Sequence, residues 1–395
     1  MRMNSSVRFF NDGKSSTVYE SRVHQEDSRP PAKKRKREED SEEESPGDVI
    51  TGSTGAGVST RDSEWFTGPV EHDEHVFCVN DTLFKVNDSA LQRCPQLKEE
   101  IYTSPSKRWD DLNPRNLAID CSVEEFKAVL WAMHTPENQL QSGPGNYSDV
   151  DRILNLALVS KSFGLDKLYD WAVRIAQTAA KDAVFMDSCS SATLTLFAKV
   201  ADRCGLDDML DTLCEKWCER VFNKKAPSVP ALLVTDINHK LAKLRGVAYY
   251  VHLQDMLERQ TINGEATQLI TDHKLNSGQV MRLLAGHLSL VNCWEQLRLR
   301  PIELPCAAGC SAAEHQRCSA TWNRRWIVSS GWQRILERNS SDILGILDVL
   351  RDQLMNDDDL KAGVHPACRL AGLNSLKTKR EDIQATLVSH FAGCV

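Results

Sequence analysis

The chain has 395 residues, is 41% hydrophobic and 26% charged, and carries a formal net charge of -7, a balance that allows a sizeable buried core. An acid excess argues against a nucleic-acid or anionic-membrane binder along the whole chain, and no run approaches the roughly 18 apolar residues of a membrane-spanning helix. Thirteen irregularly spaced cysteines, with no apolar core of signal-peptide length in residues 1–11, read as reduced and mostly buried thiols, which excludes a secreted disulfide scaffold.

Residues 1–64 hold no cysteine and no sustained hydrophobic period. They cannot offset their chain entropy by burial, so they are expected to form a disordered tail. Within them Pro30-Pro31-Ala32 precedes Lys33, Lys34, Arg35, Lys36 and Arg37, and an acidic run from Glu38 to Glu44 follows. Contiguous cations on a proline-stiffened extended segment resemble a monopartite nuclear-localisation signal, which implies an importin partner and a nuclear location, with or without a cytoplasmic pool. The acidic run would repel phosphate, so direct DNA contact by these cations is not expected. Gly52-Ser53-Thr54-Gly55-Ala56-Gly57 lacks the Gly-Lys-Ser/Thr ending of a phosphate loop and reads as a linker.

The folded part is expected to begin near Val70, with residues 65–180 as its first unit. Val76–Val79 and Leu83–Val86 flank Asn80-Asp81-Thr82, a hairpin pattern because Asn and Asp tolerate the left-handed backbone of tight turns. Ser89 is placed to cap a helix running through Leu91 and Leu97 to Ile101, and Leu117-Ala118-Ile119 reads as a third strand. Ser122 with Glu125 makes a capping box, and Val123, Phe126, Val129, Leu130 and Met133 then share one helical face. Pro136 and the Gly143-Pro144-Gly145 loop end that helix. Two more helices follow, on Val150, Ile153, Leu154, Ala157 and Leu158, and on Leu165, Leu168, Tyr169 and Ala172. Gly164 suits the left-handed close of one and Asp166 the cap of the next. Cys204-Gly205-Leu206-Asp207 repeats Phe163-Gly164-Leu165-Asp166, which predicts a second helical hairpin over 181–225 stacked on the first.

The order Asp81-Thr82-Leu83-Phe84-Lys85-Val86, Ser89, Leu91, Leu117-Ala118-Ile119, Glu124 to Met133, Ile153 to Ala157 and Phe163 to Leu168 resembles a BTB/POZ domain, most of all the branch abundant in basidiomycete fungi. Asn87, Leu97 and His134 stand where that family often has histidine or aromatic residues. The resemblance implies an α+β fold, a small sheet with surrounding helices, followed here by a mainly α-helical extension. It also implies protein partners, through homo- or hetero-dimers built on a sheet edge and the first helix, with Val79, Leu83, Leu91 and Leu97 as the contact surface. Some members act in transcriptional regulation or as substrate adaptors of a cullin-type ubiquitin ligase. No enzymatic activity, cofactor or small-molecule substrate is expected.

Residues 226–395 stay helical in pattern, over Leu232–Val234, Leu241–Met256, Val280–Leu299 and Ile343–Leu354, punctuated by Pro227, Pro230, Pro301, Pro305 and Pro366. Cys306, Cys310, His315 and Cys318 carry donors that zinc prefers, at a spacing unlike that of a zinc knuckle or finger. The favoured expectation is no metal: a loop leading into a helix whose buried face carries Cys318, Trp322 and Trp326. The rival is a zinc-dependent nucleic-acid-binding regulator, with Arg324 and Arg325 beside the indoles for stacking and charge. Cys214 and Cys218, four apart on a predicted helix, read as core packing.

Overall fold

A computed structural model describes residues 59–102, 114–136, 147–263 and 274–392. The run Lys33–Arg37, the Gly52–Gly57 linker and the Gly143-Pro144-Gly145 loop lie outside these residues. Among the described residues no helix is long and apolar enough to cross a membrane.

The expected hairpin forms between β2 (Glu74–Val79) and β3 (Thr82–Asn87), which pair antiparallel with Phe77 opposite Phe84. Asn80 and Asp81 make its two-residue turn with φ of 46° and 63°, the pair of left-handed residues that matches the twist of the strands. A strand not anticipated from sequence, β1 (Thr60–Arg61), lies parallel against β3. The tail therefore does not extend to residue 64. Asp62 holds this segment down: its buried carboxylate accepts the amides of Glu64 (3.0 Å) and Trp65 (2.9 Å) and pairs with Lys127 at 3.0 Å. The strand predicted at Leu117-Ala118-Ile119 does not form there; a two-residue strand just before it, β4 (Arg115–Asn116), lies parallel to β2. Leu117 adds one further bond to Cys78 O (3.1 Å), after which Leu117 and Ile119 turn to pack on the core. The sheet order is β1-β3-β2-β4.

The helix expected from Ser89 to Ile101 is two, α1 (Asp88–Leu91) and α2 (Pro95–Tyr102). Pro95 removes an amide that a continuous helix would need, so the chain restarts there. The cap of α1 is Asn87, which accepts from Ala90 N–H (2.9 Å), while the Ser89 hydroxyl donates to Asn87 (2.9 Å). The capping box of Ser122 and Glu125 opens α3 (Val123–His134) as predicted.

Next come α4 (Val150–Val159), α5 (Asp166–Lys181), α6 (Ala183–Ser188), α7 (Ser191–Arg203) and α8 (Asp207–Phe222). The repeated turn is real. Gly164 and Gly205 sit at φ of +69° and +66°, and the following amides reach back five residues, Leu165 to Ser160 O (2.9 Å) and Leu206 to Ala201 O (2.8 Å). These are equivalent Schellman closures, satisfying carbonyls that a helix end leaves free. Asp166 is not the cap; it lies in the first turn of α5, and Leu165 occupies the cap position without a side-chain bond. The hairpins stack, α4 on α7 and α5 on α8. Arg220 of α8 is buried against α6, donating to Met186 O (2.9 Å) and Cys189 O (2.8 Å), which offsets the desolvation that an unpaired interior cation would suffer.

The rest is helical as expected: α9 (Ser228–Ile237), α10 (Ala242–Asn263), α11 (Ser277–Leu299), α12 (Ala312–Ser330), α13 (Gln333–Leu336), α14 (Ile343–Asn356), α15 (Asp358–Gly363), α16 (Pro366–Ala385) and α17 (Leu387–His390). Helix α10 packs on both α8 and α9, and α17 returns against α10 and α11. One apolar core consequently runs from Phe77 to Phe391 without a break, shared by segments 65–180, 181–225 and 226–395.

Candidate metal centre and interaction groove

The four residues proposed as a contact surface are interior. Val79, Leu83 and Leu91 are 4% exposed and Leu97 is fully buried. Val79, Leu91 and Leu97 belong to the main core, while Leu83 joins Val76, Cys78 and Phe66 on the other face of the sheet. They hold the fold together and present nothing in this chain. For Leu83 the reason lies in residues 59–70, of which sequence patterning assigned 59–64 to the tail: β1 takes the edge of β3, and Phe66 covers the outer face. Lys85 closes that cover, its ammonium bonded to Pro69 O (3.0 Å) and Glu74 (2.9 Å).

The same unit does offer a groove of about 560 Å³ where the start of α2, the end of α3 and the α4–α5 turn converge. Its floor is Pro95, Ala132, Met133 and Leu165, and Leu168 and Lys167 stand on its wall. Arg93 also lines it, donating to Met133 O at 2.7 Å, where the last carbonyls of α3 attract a cation. Gly164 serves both roles: its left-handed turn brings α5 back and leaves the space open, with Gln96 as its nearest neighbour.

The second concentration of chemistry is where α12 meets α16. Ser311 caps α12 in a capping box with Glu314, which fixes Cys310 immediately before the helix, His315 in its first turn and Cys318 one turn on. As the loop-into-helix expectation has it, Cys318, Trp322 and Trp326 are buried on one face. Pro366 starts α16 and puts Cys368 in the first turn of that helix. The ligand atoms of Cys310, His315 and Cys368 lie within 4.8 Å of one another. His315 Nδ1 is 3.8 Å from Cys368 Sγ, and its Nε2 meets Ser319 Oγ at 3.3 Å. Loss of solvation, and then the thiols of Cys368 and Cys318, push the Cys310 thiol up to about 12; several sulfurs so close resist ionising unless a cation offsets the charge.

Cys306 is not in this group. It is exposed, with its sulfur against the carbonyls of Ala307 (4.0 Å) and Cys310 (3.8 Å). Cys368 stands in its place, some fifty residues downstream, where no local spacing rule could find it. Of the pieces of the nucleic-acid rival, Arg324 is exposed, while the two indoles and Arg325 are otherwise engaged. The Trp322 and Trp326 indoles are interior and donate to Ile302 O (2.9 Å) and Leu297 O (3.0 Å). Arg325 is held by Asp357 (2.6 Å) and Asp359 (2.8 Å). Cys214 and Cys218 are free thiols buried in the core, and their proximity holds the first down to about 7 and, with burial, drives the second up.

Compared with known proteins, the chain matches no family model, no curated protein and no solved structure.

Proposed function

We propose that the chain is a non-enzymatic protein-interaction scaffold whose BTB-like unit, residues 65–180, recruits protein partners through the groove between α2, α3 and α5. The observation that carries this reading is the succession of elements: a hairpin, two short helices, a strand laid parallel beside β2, a capped helix and a helical hairpin, all on one core. That is the order the sequence resemblance leads one to expect. The groove supplies apolar area with a polar margin, the composition of protein-recognition sites. Whether the recruited partner is another copy, a transcriptional regulator or a cullin is a specialisation of the same reading. The nuclear part of the proposal rests on Lys33–Arg37 and importin capture.

The test uses the full chain on a resin in cell extract, beside Leu168→Glu. Leu168 is half-buried on the groove wall and packs partly on the core, so Tm is measured beside capture to separate a lost partner from a lost fold. A defined set of captured proteins that Leu168→Glu loses, at unchanged Tm, is the expected result. Equal capture by both chains, or none by either, refutes the groove as the recruiting surface.

A further inference from the structure

Independently of the interaction reading, the junction of α12 and α16 has the donors, the distances and the supporting shell of a metal site. Zinc bonds thiolate at about 2.3 Å and imidazole nitrogen at about 2.0 Å, so the edges of its tetrahedron are about 3.6–3.8 Å. His315 Nδ1 and Cys368 Sγ are already 3.8 Å apart, and the set with Cys310 spans no more than 4.8 Å. Cys318, one turn after His315 on the same helix, lies outside that set of three and would close in as the fourth donor.

The surroundings make a separate argument. The amide of Ala307 points at Cys368 Sγ (3.5 Å), and the amide of His365 points at Cys318 Sγ (3.3 Å). A neutral thiol is a weak acceptor, whereas a metal-bound thiolate carries charge that amide N–H groups stabilise. His315 is oriented in the same sense: Ser319 engages Nε2, and the nitrogen facing the sulfurs is the other one. An outer partner on the far nitrogen is the usual way in which a protein orients an imidazole ligand.

We propose that Cys310, His315, Cys318 and Cys368 bind one zinc ion, in a closed structural site that staples α12 to α16. Three soft sulfurs and one imidazole in a compact group select zinc over calcium or magnesium, which take oxygen. With four protein donors the ion has no open position for water or substrate, so its role is to hold the fold. Its ligands come from a loop and two helices separated by about fifty residues of sequence, and binding only the folded chain stabilises it.

The experiment is metal analysis and cobalt(II) titration of the full chain. About one zinc per chain is expected as purified. Cobalt(II) should then give the intense visible absorption of a tetrahedral site with a thiolate charge-transfer band, saturating at about one equivalent and displaced by zinc. Cys310 lies in a half-buried loop, so Cys310→Ser should keep its helical circular dichroism while losing the stoichiometric end point. Cys306→Ser should keep both. A chelator should lower the Tm of the wild-type chain and leave that of Cys310→Ser unmoved. A pale octahedral cobalt spectrum, identical titrations for Cys306→Ser and Cys310→Ser, or a Cys310–Cys368 disulfide in place of bound metal in the chain as purified would each overturn the assignment.

Discussion

Replacing Gly246 by alanine reverses the sign that helix propensity alone would give. In the interior of an exposed helix, glycine to alanine stabilises by about 1 kcal/mol. Gly246 lies in α10 where α17 crosses it, and a Cβ there would overlap the backbone nitrogen of Val388 and lie 2.9 Å from both Leu387 C and Val388 Cα. Backbone atoms cannot rotate aside as a side chain can, so the helices must separate, and overpacking of this kind costs about 1–3 kcal/mol. Complete release by lifting α17 would be worse. It would expose Leu387 and Phe391, each 1% accessible, at about 1.5–3 kcal/mol apiece. Near the upper end of the overpacking range, the propensity gain leaves a net loss of about 2 kcal/mol. Urea unfolding of the full chain measures it, with Gly331→Ala as control: Gly331 has φ of -90° and its nearest neighbour to a new Cβ is 3.6 Å away, so alanine there should be neutral. A Gly246→Ala chain as stable as wild type, or more so, would refute the close approach of α10 and α17.

Gly205→Ala should destabilise by about 0.5–1 kcal/mol, the left-handed penalty less the entropy removed from the unfolded chain, and Gly205→Asn by less; urea midpoints that rank the two the other way would contradict the Schellman closure. Asp62 gives a pH prediction. Burial alone would raise its pKa, but the Trp65 amide, the Lys127 ammonium and the Glu64 amide outweigh burial and hold it below 3.8. A depressed carboxylate contributes stability above its unfolded pKa and loses it as pH falls through the folded value. Asp62→Asn should therefore cost about 1 kcal/mol at pH 7, with the gap to wild type closing below pH of about 4; a gap that does not change with pH would refute the ionic role.

Local signals in this sequence were legible where the structure uses local chemistry. The hairpin turn at Asn80-Asp81, the capping box at Ser122 and Glu125, and the twin glycines 164 and 205 are each decided by a few neighbouring residues. Features that depend on distant partners were not. Thr60 and Arg61 have no strand-like pattern of their own; they are ordered by β3 and by the amides gathered on Asp62. Val79, Leu83, Leu91 and Leu97 have the apolar character of a contact surface as readily as of a core; Phe66 decides for Leu83, and the packing of the main core decides for the other three. For the candidate metal cluster, sequence spacing weighed Cys306, Cys310, His315 and Cys318 and favoured no metal; it held Cys310 and His315 of the clustered residues, because they share one helix start, and missed Cys368. The signal that could have found Cys368 is Pro366, which fixes a helix start and so places a thiol in its first turn. Which helix start faces which is settled only by the packing of the whole C-terminal half.

The central claim is that partners are recruited on the groove of the BTB-like unit, and amine cross-linking of the captured full-length complex reads it most directly. Lys167 stands on the groove wall and is exposed, whereas Lys361 and Lys377 are exposed far along the chain in the helical C-terminal half. Partner links concentrated on Lys167, and lost with Leu168→Glu, are the result predicted. Partner links confined to Lys361, Lys377 and their neighbours, with Lys167 unlinked, would contradict it.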